Sequence, residues 1–170
     1  MKHPVPRYLA VLLFCLLPFL LVTAQQLKPG LVDAESLRRV VPPSYFFRGQ
    51  SATVQLRNSA GFSTADGKLV LAGLVDTAGY ASEVAAKYQG FLITEVKLEI
   101  EGTELPPGEY GFGFSKDGKF TVMDVGADDL FTVSAQVDAK LVHPVPLKMV
   151  AGDDGYRLYA GRKWVHVKAE

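Results

Sequence analysis

The segment from Thr103 to Val125 constrains the fold of this chain more than any other stretch. Its sequence, TELPPGEYGFGFSKDGKFTVMDV, places a Lys-Asp-Gly turn between two short runs of apolar and aromatic residues. Two such runs joined through Asp-Gly strongly favour a β-hairpin, because a type I′ turn needs positive φ at both central residues. With Asp117 and Gly118 in those positions, Lys116 is predicted to pair with Lys119.

The predicted register decides which side chains of the hairpin share a face, since side chains alternate along a strand. One face holds three cross-strand pairs, namely Tyr110 with Val125, Phe112 with Met123 and Phe114 with Thr121. The opposite face carries Gly111 and Gly113, and a glycine inside a strand often marks a place where another group approaches the backbone closely. That group is either a ligand or a neighbouring core side chain, and the sequence leaves both open.

Residues 1–24 have the three-part order of a secretory signal peptide. Lys2 and Arg7 give a positive start, an apolar run follows, and Val22-Thr23-Ala24 offers small or modest residues at a cleavage position. The apolar run is shorter than the roughly 20 residues that a membrane-spanning helix needs. We therefore expect a mature chain that begins at Gln25, an exported location in the periplasm or outside the cell, and no stable membrane span after cleavage.

Removal of the signal peptide would leave 146 residues without a thiol, since Cys15 is the one cysteine of the sequence. Such a chain forms no disulfide bonds and relies on an ordinary apolar core, and its length suffices for one such core. It carries sixteen basic and eighteen acidic residues, a net charge of −2. This balance provides no electrostatic surface for binding nucleic acid.

The pattern after the signal peptide predicts a lead-in segment over residues 25–43 and a single β-domain over residues 44–170. In the lead-in, Asp33 can cap a short helix that Pro42-Pro43 ends, and a disordered lead-in is the alternative. In the body, short apolar runs recur about every ten residues, with turn residues between them. The predicted fold is a mainly β, single antiparallel β-sandwich or barrel-like domain with one or two short helices.

Local patterns in the first part of the body predict two strands and a turn. Alternation over residues 52–57 is typical of a strand with one face in water. Asn58-Ser59-Ala60-Gly61 has the composition of a turn. Residues 68–75 are almost continuously apolar, which predicts a strand that is buried on both faces.

Further along the body, residues 78–89 have the spacing of a helix. Ser82 lies at its predicted cap position and Gly90 at its end. Residues 91–100 are then predicted to form one returning strand. Near the end of the chain, turn residues at 153–155 and at Ala160-Gly161 separate the last three predicted strands.

Residues 96–125 resemble a segment found in two kinds of β-domain. Their run VKLEIEGTELPPGEYGF, followed by an aromatic-led return strand, contains a Leu-Pro-Pro-Gly-Glu-Tyr corner before the hairpin. This corner is similar to that of small secreted bacterial β-domains of unknown function and of transthyretin-like modules, which are carboxypeptidase regulatory-like β-sandwiches. The resemblance covers 30 of the 170 residues. It implies a β-sandwich and lends no catalytic residues to this chain.

Residues that commonly carry catalysis or bind metals are few in the predicted mature chain. His143 and His166 are its two histidines, and the short His or Cys spacings of a zinc site are absent from the sequence. None of the serines stands in a Gly-x-Ser-x-Gly elbow. Aspartates such as Asp124 suit turns as well as a calcium loop. We therefore predict no catalytic residue, no metal ligand and no cofactor.

Aromatic and glycine residues are the remaining candidates for ligand binding. The predicted ligand-binding residues are Tyr110, Gly111 and Gly113 in the central hairpin, with Tyr159 and Trp164 near the end of the chain. Ring faces give a large contact area, although the same rings can simply fill the core. The function hypothesis is an exported non-catalytic β-domain that binds a partner protein, a polymer or a small apolar ligand. The alternative is a small exported hydrolase whose carboxylates and histidine meet only in the fold.

Overall fold

The computed structural model describes residues 27–170, so the predicted signal peptide lies outside the described residues. These residues form two antiparallel sheets and two short helices, which confirms the predicted mainly β sandwich. The helices are α1 (Ala34–Val40) and α2 (Ser82–Lys87). The strands are β1 (Gly30–Leu31), β2 (Ser44–Phe47), β3 (Gln50–Ser63), β4 (Leu69–Val75), β5 (Gly90–Thr94), β6 (Leu98–Ile100), β7 (Thr103–Leu105), β8 (Gly108–Phe114), β9 (Lys119–Met123), β10 (Asp129–Ser134), β11 (Gln136–Val137), β12 (Val145–Gly152), β13 (Gly155–Gly161) and β14 (Lys163–Ala169).

The two sheets pack face to face around the main core. The first sheet has the order β1-β3-β4-β5-β8-β9-β10, with β2 paired to β3. The second has the order β12-β13-β14-β6-β7, with β11 paired to β14. Neither helix in the described part of the chain combines the length and apolarity needed to cross a membrane. Side chains of both sheets fill the space between them, among them Phe62, Leu92, Phe112, Phe120, Leu98, Leu158 and Val165.

The first sheet is covered on its outer face as well. Along β4, Val70 and Ala72 belong to the core between the sheets, whereas Leu71 and Val75 belong to a second apolar cluster on the opposite face. The prediction that residues 68–75 are buried on both faces is therefore confirmed. The cover consists of α1, α2 and the hairpin of β2 with β3, so the molecule has three layers.

The lead-in segment forms α1 and joins this cover. The Asp33 carboxylate accepts hydrogen bonds from the N–H groups of Glu35 and Ser36 at 3.0 and 2.9 Å, as expected of a helix N-cap. Leu37 and Val41 are buried in the second apolar cluster. A seven-residue helix is marginal in isolation, so this docking provides much of its stability.

The central hairpin is present, but its predicted register is wrong by one residue. Ser115 rather than Lys116 stands opposite Lys119, which leaves a three-residue loop. Gly118 has a φ of +79°, whereas Asp117 does not have the positive φ of a type I′ turn. A loop of this length ends with a glycine in the left-handed region. The true pairs are Phe114 with Phe120, Gly113 with Thr121, Phe112 with Val122 and Gly111 with Met123.

The predicted turn at Asn58-Ser59-Ala60-Gly61 is also wrong, because β3 runs through it. The pairing of β3 with β4 shifts register between Val54 and Ser59, and the Ser59 hydroxyl bonds the Leu56 carbonyl at 2.7 Å. The small residues serve close packing instead of a reversal of the chain. A Cβ on Gly61 would lie 2.8 Å from the Leu71 side chain on the neighbouring strand.

Two further boundaries differ from the sequence prediction. The helix within residues 78–89 is shorter than predicted, and Ser82 is its first residue instead of its cap, because Ala81 occupies the N-cap position. The Asp76 side chain bonds the backbone N–H of Ala78 and keeps the preceding residues in a loop. The strand predicted over residues 91–100 is divided into β5 and β6, which lie in different sheets.

The predicted turns between the last three strands are confirmed. β12 and β13 are joined at Asp153-Asp154, and β13 and β14 at Arg162. Gly155 and Gly161 have φ values of +118° and +63°, which glycine adopts without strain. These turns place β12, β13 and β14 side by side in the second sheet.

Replacement of Gly118 by valine should lower the free energy of unfolding by about 1–2 kcal/mol, because a β-branched residue is strained in the left-handed region. No clash contributes, since a Cβ at this position would meet no atom within 4 Å. Gly118→Asn is the matched control. It should lower the free energy of unfolding by less than the valine variant does, because asparagine tolerates positive φ. Urea unfolding followed by circular dichroism measures both, and a valine variant as stable as the parent would contradict the assigned loop.

Replacement of Asp33 by alanine should lower stability at neutral pH and have little effect in acid. Hydrogen bonds from Ser36 and Glu35 hold the pKa of the Asp33 carboxyl below its usual value. A depressed folded-state pKa means that this carboxylate stabilises the fold above the unfolded-state pKa, and that the contribution is lost as pH falls through the folded-state pKa. Urea unfolding at pH 7 and at about pH 2.5 tests this. Asp33→Asn, which keeps the acceptor oxygen, is the control. If Asp33→Ala lowered the free energy of unfolding equally at both pH values, the result would argue against the cap.

Candidate functional site

The aromatic row of the central hairpin faces the main core. Tyr110 is 9% exposed, and its hydroxyl donates a hydrogen bond to the Pro106 carbonyl at 2.9 Å. A Cβ on Gly108 would lie 2.8 Å from that hydroxyl, so the glycine of the Pro-Pro-Gly corner makes room for the ring. The corner and Tyr110 therefore hold each other in place, and the structure assigns the predicted binding residue Tyr110 a packing role.

The two glycines of β8 lie on the face opposite the aromatic row, as predicted, and protein atoms occupy the space above them. The ring of Phe47 lies over Gly111, and the backbone carbonyl of Lys87, at the end of α2, lies over Gly113. Phe47 is fully buried and stacks on Tyr88, with ring centroids 3.8 Å apart. The sequence left open whether a ligand or a neighbouring core side chain approaches these glycines. At Gly111 the geometry supports the core side chain.

Tyr159 and Trp164 lie together on the outer face of the second sheet. They are cross-strand partners on β13 and β14, and their rings are 6.0 Å apart and inclined by 27°. The Lys148 ammonium lies 4.8 Å from the centroid of the Tyr159 ring, and the Arg157 guanidinium lies 4.7 Å from that of Trp164. Tyr159 is only 4% exposed. Each ring of the pair thus lies beside a cation of the same sheet, and the Tyr159 ring has little free surface for a ligand, whereas Trp164 is half-buried.

The described residues form no histidine and carboxylate site. His143 is exposed, and neither imidazole is ion-paired with a carboxylate of residues 27–170. Asp154 lies near His166 but is ion-paired with Lys168 at 2.8 Å. Asp124 accepts two backbone N–H bonds from the turn that follows it, at 2.9 and 3.0 Å. Within the same residues, no group of three potential metal ligands is found.

A groove opens on the outer face of the first sheet, where the covering layer ends. We call it the outer groove; it has a volume of about 430 Å³ and lies between α1, β2 and the strands β4, β5 and β8. Strand register aligns Leu71, Ile93 and Glu109 in one row across its floor. The Phe46 side chain, 60% exposed, lies at its rim. The apolar part of its lining comes from Val40, Pro42, Phe46, Leu69, Leu71 and Ile93.

Two carboxylates give the outer groove its charge. Glu109 follows Ile93 in the floor row, and Glu95 lies two residues beyond Ile93 on the same face of the chain. One oxygen of Glu95 accepts the backbone N–H of Leu69 at 2.7 Å. Glu109 forms no ion pair with the described residues. Since no Lys, Arg or His lines the groove, its lining carries a net negative charge.

Tyr45 forms part of the wall of the outer groove. Its ring is 3% exposed and stacks on Phe91 with centroids 5.1 Å apart. Its buried hydroxyl has no hydrogen-bond partner among residues 27–170. Burial, together with the negative charge of Glu109, raises the pKa of Tyr45 well above its usual value, so the phenol stays neutral. An unpaired buried hydroxyl costs about 1–3 kcal/mol.

Sequence reasoning missed the outer groove, although one signal for it was available. Three consecutive aromatic residues in a strand, Tyr45-Phe46-Phe47, must point to both faces, so Phe46 is exposed unless a further layer covers it. No comparable signal existed for Glu95 and Glu109. They are distant in the sequence and become neighbours only because β5 pairs with β8.

Comparisons of the chain with models of protein families, with curated protein sequences and with solved structures find no match. The resemblance of residues 96–125 to secreted bacterial β-domains and transthyretin-like modules therefore stays a prediction.

Replacement of Gly111 by alanine should destabilise the protein by about 1–3 kcal/mol, because the new methyl group would overlap the pinned ring of Phe47. Gly79→Ala is the matched control, since a Cβ there would meet its nearest atom at 3.8 Å. It should change stability by less than about 0.5 kcal/mol. Thermal unfolding measures both. A Gly111→Ala variant as stable as the parent would mean that the space above Gly111 is open, and a ligand would again be a candidate to fill it.

Proposed function

We propose that this chain is an exported, non-catalytic binding domain that holds an apolar ligand in the outer groove. The observation that carries the proposal is Phe46, whose side chain is 60% exposed beside apolar walls. The other aromatic rings of residues 27–170 are buried or half-buried. Covering an exposed ring with a ligand removes apolar area from water, which favours binding in a concave site of this kind.

The walls of the outer groove are held in place before any ligand binds. Its floor belongs to β4, β5 and β8, which each have a paired strand on both sides. One wall is formed by the end of α1. The Asp33 cap and the buried side chains of Leu37 and Val41 hold this helix against the sheet. A preformed site loses less conformational entropy on binding, so a modest contact area can give measurable affinity.

Among the three kinds of partner that the sequence leaves open, the small apolar ligand suits this groove best. A volume of about 430 Å³ falls within the roughly 300–1,000 Å³ typical of small-molecule sites. The hydrolase alternative needs His143 or His166 beside a carboxylate in a pocket, and neither imidazole is ion-paired with a carboxylate of residues 27–170. Neither histidine lines the outer groove.

Octanol is a simple apolar probe for this proposal. Titration into the protein, followed by amide NMR spectra, should give saturable shifts at Phe46, Ile93 and Glu109. Phe46→Ser should weaken octanol binding about tenfold or more, because it removes the exposed ring from the contact.

Leu130→Ser is the matched control for the octanol experiment. Leu130 is also an exposed apolar residue, at 49%, but it lies on β10 and does not line the groove. Its replacement should leave octanol affinity unchanged. The proposal fails if octanol gives no saturable shifts in the groove, or if the two serine variants lose affinity equally.

A further inference from the structure

We propose that one end of the sandwich docks on the surface of an anionic phospholipid bilayer. This end, which we call the basic end, consists of residues 115–119, 135–146 and 161–163. Its exposed valines enter the headgroup layer, and its cations meet the lipid phosphates. The inference goes beyond the proposed function and does not depend on it, because no residue of the basic end lines the outer groove.

Connections from both sheets meet at the basic end. The Asp138 N–H bonds the Arg162 carbonyl at 2.8 Å, and the Ala135 N–H bonds the Gly118 carbonyl at 2.8 Å. β11 pairs with β14 whereas β12 pairs with β13, so residues 138–144 must pass the turn that joins β13 to β14. The basic end is therefore one surface, built from neighbouring loops and turns.

The valines of the basic end protrude into solvent. Val142 is 75% exposed and Val137 is 62% exposed, which exceeds every other large apolar side chain of residues 27–170, and Val145 is 39% exposed. Register places Val137 opposite Lys163 and Val145 opposite Gly161, so the two flank the β13–β14 turn, and Val142 lies in the loop between them. Protruding apolar groups enter a lipid headgroup layer without needing a matching cavity.

Two prolines adapt the loop to an apolar environment. Pro144 and Pro146 have no backbone N–H, so fewer donors lose their bonds to water when the loop enters the headgroup layer. Each proline also restricts the residue before it, His143 or Val145, to extended backbone, which lowers the entropy lost on docking. The missing N–H groups make the start of β12 a poor site for adding a strand from a partner protein.

The cations of the basic end give it a charge that matches the bilayer. They are Lys116, Lys119, Lys140, Arg162 and Lys163, and none is ion-paired with a carboxylate of residues 27–170. Against these five cations stand two carboxylates, Asp117 and Asp138, so the excess is three positive charges. Each lysine or arginine close to an anionic bilayer strengthens binding about fivefold.

The opposite end of the same strands is acidic. Residues 124–128, which follow β9, and residues 153–154, between β12 and β13, contain four aspartates and no lysine or arginine. β13 runs from this end to the basic end. Because the charges are separated along the strands, an anionic surface attracts one end, repels the other and so orients the molecule.

The composition of the basic end favours a bilayer over a folded partner protein. Its residues include four lysines and no aromatic side chain. The centre of a protein interface is instead enriched in aromatic residues and depleted in lysine. A lysine ammonium on its flexible stem can follow the mobile headgroups of a fluid bilayer while the stem contacts apolar groups.

Co-sedimentation with lipid vesicles tests the proposal. It uses residues 25–170, which include every described helix and strand, because the apolar run within residues 1–24 would bind lipid by itself. Vesicles of equal parts phosphatidylglycerol and phosphatidylcholine should bind the protein about tenfold or more tighter than vesicles of phosphatidylcholine alone. Added salt should weaken this binding, because it screens exposed charges.

Paired variants separate the cations from the valines. Lys140→Gln combined with Arg162→Gln should weaken binding to the anionic vesicles about tenfold or more. Val137→Ser combined with Val142→Ser should weaken it about fivefold or more, through the lost apolar contact. Thermal unfolding should be unchanged in both, since the replaced side chains are exposed.

The opposite end supplies the matched controls. Lys68 is an exposed cation just before β4, whose first residues pair at the far end of β5 and β8 from the β8–β9 loop. Val125 is 44% exposed in the turn after β9. Lys68→Gln and Val125→Ser should therefore leave vesicle binding unchanged.

A fluorescent label tests the predicted orientation. Residues 25–170 contain no cysteine, so Val142→Cys provides a single site for a bimane label. Its emission should shift to shorter wavelength on the anionic vesicles, because the label leaves water. A label on Val125→Cys at the opposite end should show no shift.

Four results would overturn the proposal: equal binding to the two kinds of vesicle, full affinity in the valine pair, an equal loss in the controls, or a shift at position 125 instead of 142. If soluble polyglutamate binds as tightly as the anionic vesicles, an acidic segment of a partner protein replaces the bilayer. Octanol binding in the outer groove should be the same in all these variants. A failure here therefore leaves the proposed function standing, and a failure of octanol binding leaves this proposal standing.

Discussion

The central strands of the first sheet carry apolar side chains on both faces, and most of the architecture follows from covering both. On one side the second sheet supplies the cover, and on the other side α1, α2 and the hairpin of β2 with β3 do so. The outer cover lies so close to β8 that Phe47 occupies the space above Gly111. Glycine on that strand is therefore a condition for the third layer to pack. The groove lies where this layer stops, beside Ile93 and Glu109.

Much of the fold was predictable because its signals are local. Alternation, turn residues and the cap at Asp33 depend on neighbours in the sequence. They gave the fold class correctly, and they gave α1 as one of two alternatives, the other being a disordered lead-in. The errors arose where one amino-acid composition fits two different local backbone structures. Asp-Gly suits a type I′ turn as well as a three-residue loop that ends at Gly118, and the Ser115 hydroxyl bonds the Lys119 N–H in the latter. At Gly61 the composition of a turn serves the close approach of β4 instead.

The candidate site was less predictable, because it depends on which elements cover each other. The sequence marks Tyr110 and Tyr159 as aromatic, but only the fold shows that one ring lies between the sheets and the other beneath a lysine. Conversely, Phe46 resembles its two aromatic neighbours, but its side chain points to the opposite face of β2, which no further layer of the described residues covers. The negative charge of the groove needs β5 beside β8, a pairing that no short stretch encodes. Binding as the function of this chain stays a proposal.

The position of β14 has a consequence for the order in which the chain can fold. This last strand lies in the middle of the second sheet, and Ala169 pairs with Leu98, so β6 and β7 have no place in that sheet until β14 is available. Contacts between such distant residues form late, because closing a long loop costs entropy. During synthesis the inner face of the first sheet, including Phe112, stays partly uncovered until β14 has been made. A chain that folds in this order carries an uncovered apolar surface, and with it a risk of aggregation, until the second sheet closes.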